Sequence, residues 1–379
     1  MKFVSIQAML RAAAIGAALV GSLALGGPAS AQDNWQSQWD AWLAAAKKEG
    51  MVSVIVPAGQ SYRVSVEGFA KAYPDIKLVV TSELIRDTLP RVLREREAGI
   101  YSSDVMIGAV SPIYAGWIPK GVLADLRSVL IRPDAIDDSK WMCGYAYGWL
   151  DKAQKHAFGF TAVSPSDVYV NRDAVSEAEL PSTAALFDSL LDPKWTGKIS
   201  WQDPRQGGQG NSIAGLILMT RGEAFLRNFI IKQKPVFTLD LRQQADWIVR
   251  NRYPIALGLD DTVLGELQTE GLGKKVQQVY FKEILAMTPQ YGIMAMFDRA
   301  PHPNAAKVFA NWMLTQQAQE EYHRAIRSNS RRTDVAPTRE SLRPPPNGCV
   351  VAINHQREEY ARFKAEAGKV AAEAYEQIK

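Results

Sequence analysis

Three apolar strand runs separated by helical spans constrain this chain more than any other feature. Met51 to Val56 is almost continuously apolar, the pattern of a strand buried on both faces. Pro57-Ala58-Gly59-Gln60-Ser61 breaks it, and Tyr62 to Tyr73 has helical spacing. Ile76 to Val80 reads as a second strand, Leu84 to Ala98 as an amphipathic helix and Asp104 to Ile107 as a third strand. A βαβαβ alternation specifies a parallel sheet covered by helices. In open parallel sheets ligands bind outside the carboxyl ends of the strands. Those ends are Ala58 to Arg63, Thr81 to Ser82 and Gly108 to Ser111.

A second α/β unit follows. Phe158 to Val163 and Val168 to Val170 are short strand-like runs where the chain leaves the first unit, and Leu180-Pro181-Ser182-Thr183 opens a helix. Ile199 to Gln202 is β-rich, breaks at Asp203-Pro204, passes through Gly207, Gly208 and Gly210, and meets an apolar helical pattern near Ser212. A strand, a glycine loop and a helix N-terminus leave unpaired N–H groups and the positive end of a helix dipole facing outward. An ordinary capped turn has the same pattern, with Asn211 or Ser212 as the cap. Pro254 to Gly258 is another strand, ending in Leu259-Asp260-Asp261-Thr262, whose carboxylates suit an amine, a hydroxyl or, more simply, a helix cap. Met287 to Met296 returns toward the first unit, His302-Pro303-Asn304 opens a helix, and Arg357 to Ile378 is a closing amphipathic helix. The aromatic stretch Trp141 to Trp149 reads as core.

Met1 to Ala31 has a basic start (Lys2, Arg11), an apolar run from Ala12 to Leu25 and a small-residue Ala29-Ser30-Ala31 end, the features of a secretory leader cleaved before Gln32. The residue directly after the cut is Gln32 and not a cysteine, so a lipid anchor is not expected, and the protein is assigned to the periplasm. Removing Lys2 and Arg11 lowers the formal charge from +4 to +2, a balance that argues against nucleic acid as partner. The remaining 348 of 379 residues exceed what one core usually serves, so two lobes are expected. Cys143 and Cys349 are the only cysteines, and in an oxidising compartment the expectation is that they pair.

Several phrases, in order, resemble one family: AWLAAAKKEGMVSV, FAKAYPDIKL, REREAGIYSSDVMIG, VYVNRDAV, LLDPKWTGKISWQDPRQGGQG, RYPIALG, HPNAAKVFANWMLTQQAQ and SRRTDV, from about Trp35 to Val335. The chain resembles the periplasmic solute-binding proteins of ABC importers, in the extracellular solute-binding family 1 branch that includes ferric-iron binders. The resemblance implies an α/β, class II periplasmic-binding-protein fold: two α/β lobes joined by crossing strands and closing on a small solute. The lobes are then 32–165 with 288–379, and 166–287. It also implies an inner-membrane ABC permease as partner, a monomer, and no cofactor. The family's iron binders hold metal largely through tyrosines, two of them adjacent in the loop that here reads LDDTVL, where the pair is missing.

The candidate ligand-binding residues are Gly59, Ser61, Arg63, Ser82, Arg86 and Ala109 on the first unit, and Arg205, Gly208, Gly210, Asn211, Ser212, Asp260 and Asp261 on the second. Three arginines beside helix N-termini favour a small organic anion or zwitterion; ferric iron is the alternative ligand. No G-x-S-x-G, H-E-x-x-H, G-x-x-x-x-G-K-[ST] or C-x-x-C motif is present and the four histidines are scattered, so an enzyme is not expected. A receptor that docks on a sensor or chemotaxis protein has the same sequence features as a transport component. Intact-mass analysis of the exported, non-reduced protein should find a chain starting at Gln32 with no alkylatable thiol; a retained leader or two modified thiols would contradict the export reading.

Overall fold

The structure, a computed structural model, describes residues 31–110, 112–163, 168–181, 186–206, 208–279, 285–340, 343–344, 352–353 and 357–379. Residues 1–30 of the leader lie outside them, as do Cys349 and the opening of the helix expected at Ser182. The strands are β1 (Met51–Pro57), β2 (Lys77–Glu83), β3 (Val105–Gly108), β4 (Phe158–Gly159), β5 (Val168–Asn171), β6 (Ile199–Gln202), β7 (Val236–Thr238), β8 (Ile255–Leu257), β9 (Val276–Gln278), β10 (Leu285–Ala286), β11 (Ile293–Met296) and β12 (Ala352–Ile353). They form two five-stranded sheets, ordered β2-β1-β3-β11-β4 and β7-β6-β8-β5-β9, and a β10-β12 pair.

In the first sheet β1 lies parallel to β2 and β3, whereas β11 enters antiparallel between β3 and β4. Val52, Val54, Ile55 and Val56 are wholly buried, as the unbroken apolar run requires of a strand covered on both faces. The span Tyr62 to Tyr73, expected as one helix, is two short ones, Gln60–Val64 and Gly68–Ala72. Between them the Ser65 hydroxyl donates to Tyr62 O, and Glu67 and Phe69 make tightened bonds three residues back, which interrupts the α ladder. In the second sheet β6 runs parallel to β7 and β8, and β5 runs antiparallel to β8 and β9. Each sheet has its own principal core, one around Phe69, Phe309 and Trp312, the other around Trp201, Phe229 and Ile217.

The closing helix, Glu358–Glu376, was expected with the first lobe and packs instead on the second. Ala367, Val370, Ala371 and Ala374 are buried in the second core, against the helices Gln209–Arg221 and Glu223–Gln233. Small residues allow that close approach: Gly215 faces the backbone of Lys364. Trp141 and Trp149 are buried, as the aromatic stretch suggested, and a fully buried guanidinium holds the loop they flank. Arg331 donates to the carbonyls of Gly159, Met142, Gly144 and Tyr145 and lies over the Trp141 and Phe158 rings. Burial without a carboxylate partner lowers its pKa to about 9.

His323 is likewise fully enclosed, with Nε2 2.9 Å from Thr161 Oγ1 and Nδ1 2.7 Å from Gln319 O. A neutral ring that donates from Nδ1 and accepts at Nε2 satisfies both contacts. Desolvation holds its pKa at about 4. The unfolded chain takes up this proton near pH 6.5 and the folded chain only near 4, so stability is complete above 6.5 and falls as pH drops toward 4, by at most about 3 kcal/mol. Denaturant midpoints across that range should lose this part of their pH slope in His323→Gln; an unaltered slope would show that His323 titrates normally.

Candidate functional site

At the first sheet the strand ends are shaped by Ser82. Its hydroxyl donates to Pro57 O at 3.0 Å and receives the Gly59 N–H at 3.2 Å, so it moulds the loop after β1 and is committed to that contact. Gly59, with φ of 130°, is the N-cap of the Gln60–Val64 helix. Ser61, a candidate ligand residue, therefore sits exposed inside the first turn. Arg63 also departs from expectation. Its Nη1 donates to Val80 O at 3.1 Å, covering a carbonyl of the edge strand β2, so its charge runs along the sheet edge. Ala109 follows β3 at the rim, half-buried. Arg86 is the second residue of the helix Ile85–Glu97, and its side chain lies outside the described residues.

A pair of tyrosines occupies the same rim. Tyr62 follows β1, and Tyr291 precedes β11, whose first residue, Ile293, is opposite Gly108 at the end of β3. The two rings meet edge to face with centroids 5.8 Å apart. Tyr291 is 43% exposed, and its backbone carbonyl accepts from Tyr322 Oη. Burial, with Tyr291 next in importance, raises the pKa of the Tyr62 phenol. Sequence reasoning missed this pair because Tyr291 reaches the rim only through the antiparallel insertion of β11.

At the second sheet the glycines answer a packing demand. A Cβ on Gly210 would lie 1.8 Å from the Gln202 carbonyl oxygen, and one on Gly258 (φ +72°) would lie 2.7 Å from Gly210 N. The helix start is thus pressed against the end of β6 and the loop after β8. Gly210 N–H donates to Gln202 Oε1 at 2.7 Å, and Trp201 Nε1 donates to Gly210 O at 3.1 Å. Gly208 is the N-cap, with no side-chain cap bond, and the Ser212 hydroxyl donates back to Gly208 O.

Arg205 is the main correction. Asp203, whose side chain is 6% exposed, receives Nε at 2.8 Å and Nη2 at 2.6 Å in a two-pronged ion pair. The guanidinium lies 4.4 Å from the ring centre of Tyr375 and 5.4 Å from that of Phe237, against the C-terminal helix. Asn211 is similarly spent, its Nδ2 donating to Pro204 O and Lys364 O. Both residues fasten the loop to the closing helix; neither is directed at the strand ends. Asp260 Oδ1 accepts from Val263 N at 3.1 Å and so caps the helix Asp261–Thr269, the simpler of its two expected roles. The Asp261 side chain lies outside the described residues.

Among the described residues no group of three or more His, Cys, Asp or Glu side chains could hold a metal. A histidine–carboxylate pair occurs at His302 and Asp104, 3.0 Å apart, but Asp104 precedes β3 and so marks the opposite edge of the sheet. His156 faces Ala124 O, and His323 is enclosed as described above. Among the described residues the first lobe's strand ends carry the Tyr62–Tyr291 phenols.

No protein-family model and no curated protein sequence matches the chain. Solved structures do. The Trichodesmium protein IdiA (FutA), in complex with iron and citrate ligands, aligns with a TM-score of 0.66 at 15% identity, over 86% of this chain and 99% of that one. The ferric iron-binding protein A of Mannheimia haemolytica, in an open conformation, gives 0.65 at 15% identity over 87% and 99%. A Bordetella ferric binding protein gives 0.63 at 16% identity over 86% and 98%. At these identities the likeness establishes the fold, and it is the two-lobed class II binding-protein fold expected from the sequence. Gly210→Ala should destabilise the protein by about 3 kcal/mol through backbone overlap, whereas Gly265→Ala, in a helix with open space around it, should stabilise it by about 0.5–1 kcal/mol. Urea titration checks both; equal effects would dissociate Gly210 from the packing of the loop.

Proposed function

We propose that this chain is the periplasmic solute-binding component of an ABC importer, a monomer that captures its solute between the strand ends of two lobes and delivers it to an inner-membrane permease. The lobes are the units built on the two sheets, with the closing helix assigned to the second. The observation that carries the reading is the paired architecture itself: two sheets, each with loop and helix N-termini at the carboxyl ends of its parallel strands, in the fold of proteins described as binding iron. The Cys143 to Cys349 bridge belongs to the same proposal, supported by these being the two cysteines of a chain read as exported.

The ligand we propose is ferric iron carried as an oxygen-donor chelate. Two of the arginines that supported an organic anion are engaged elsewhere, Arg205 by Asp203 and Arg63 by Val80 O. The iron reading is supported by the structural neighbours and by the exposed phenol of Tyr291 beside Tyr62. With no carboxylate or histidine cluster among the described residues, a chelating acid supplies the remaining donors. A thermal-shift titration of ligand-free protein with ferric citrate should raise stability by about 2.7 kcal/mol at 100 times the dissociation constant. A visible tyrosinate-to-iron band should accompany it and weaken in Tyr291→Phe. An iron-free organic acid that stabilises the protein as much as ferric citrate does would restore the anion reading.

A further inference from the structure

The two ends of the C-terminal segment are fixed to different lobes. Its first part joins the first lobe's side of the molecule. Arg357 Nη2 donates to Tyr147 O at 3.2 Å, and the guanidinium lies 4.6 Å from the centre of the Tyr147 ring. Glu358 N donates to Leu150 O at 3.0 Å, and Glu358 Oε2 receives the Lys152 N–H at 2.8 Å. These contacts belong to the loop that contains Cys143 and that Arg331 clamps to β4.

Six residues later the same helix belongs to the second lobe. Lys364 O accepts from Asn211, Glu373 pairs with Arg227 at 2.7 Å, and Tyr375 stacks on Phe237 at 4.8 Å and 19°. The buried alanines and Val370 complete that attachment. Six helical residues span only about 9 Å, and a hydrogen-bonded helix does not stretch. A rotation of one lobe against the other must therefore break one attachment. The second-lobe attachment includes apolar burial, whereas the first consists of three hydrogen bonds and one cation–ring contact made by the half-buried residues Arg357 and Glu358. The first is the one that yields.

We propose that the segment Arg357–Glu376 is a strap across the two lobes, and that its Arg357–Glu358 end is a latch restraining their relative rotation. The restraint is a property of the ligand-free chain and does not depend on which solute is carried.

Spin labels at Lys71→Cys and Lys274→Cys, one on each lobe, report the interlobe distance in the mature, oxidised, ligand-free protein. Arg357→Ala with Glu358→Ala should widen the distance distribution by about twofold or more, since the unlatched state becomes populated. Glu373→Ala, which removes a contact within the second lobe, should leave the width unchanged. An unaltered width in the latch variant, or equal widening by Glu373→Ala, overturns the proposal. Should the latch variant not fold, amide hydrogen exchange on the unsubstituted protein decides: protection at Lys152 and Glu358 supports the latch, and free exchange at both overturns it. No solute enters either measurement, so a failed ligand screen leaves this result standing.

Discussion

The seat of the second lobe is the contact between the backbone of Gly210 and the carbonyl of Gln202. No side chain fits between them, and Gln202, Trp201 and Gly258 all bond or pack against the same turn. Because the helix start is pressed onto the strand end, the intervening Asp203-Pro204-Arg205 bulges to one side. There Arg205 finds Asp203 and the face of Tyr375, and Asn211 bridges Pro204 to Lys364. One steric requirement thus fixes the loop's path, the direction of its charge and the seat of the closing helix. The exposed cation–carboxylate attraction contributes little by itself; here Asp203 is almost buried, and its fork with Arg205 mainly orients the ring contacts.

The strands were legible in the amino-acid order because burial on both faces demands an unbroken apolar run, as in Met51 to Val56. The glycine loop was legible too, but for a different reason than expected: Gly210 is required by packing, with or without a ligand. What could not be read was direction. Arg63 and Arg205 do follow strand ends, yet a long side chain can run along the sheet edge or back toward a helix, and the deciding partners, Val80 O and Tyr375, are 17 and 170 residues away. The closing helix illustrates the same limit. Its amphipathic spacing shows that one face must be covered, and only the glycines and alanines at its contact with the Gln209–Arg221 helix select which lobe covers it.

Two buried groups show how the first lobe is joined to its return segment. Arg331 is satisfied by four carbonyls and two aromatic faces in place of a carboxylate, which keeps a full charge in the interior at the cost of a lowered pKa. His323 meets Thr161 across the same junction. Such groups tolerate only one arrangement of the segments around them, because any slip strands a donor in a dry site. They make the base of the first lobe a rigid platform for the loop that holds Arg357 and Glu358.

Rigidity at that base changes what a solute must do. If both lobes are stiff and the strap resists rotation, the free energy of closure has to come from contacts the solute makes with both sets of strand ends at once. Arg205 does not enter that balance freely, since taking it from Asp203 would leave a nearly buried carboxylate without its partner. Among the described residues the rims hold the Tyr62–Tyr291 pair, whose phenols bind a hard cation only after losing their protons. Desolvation already disfavours ionisation of Tyr62, so a cation that binds its phenolate has to supply that free energy as well.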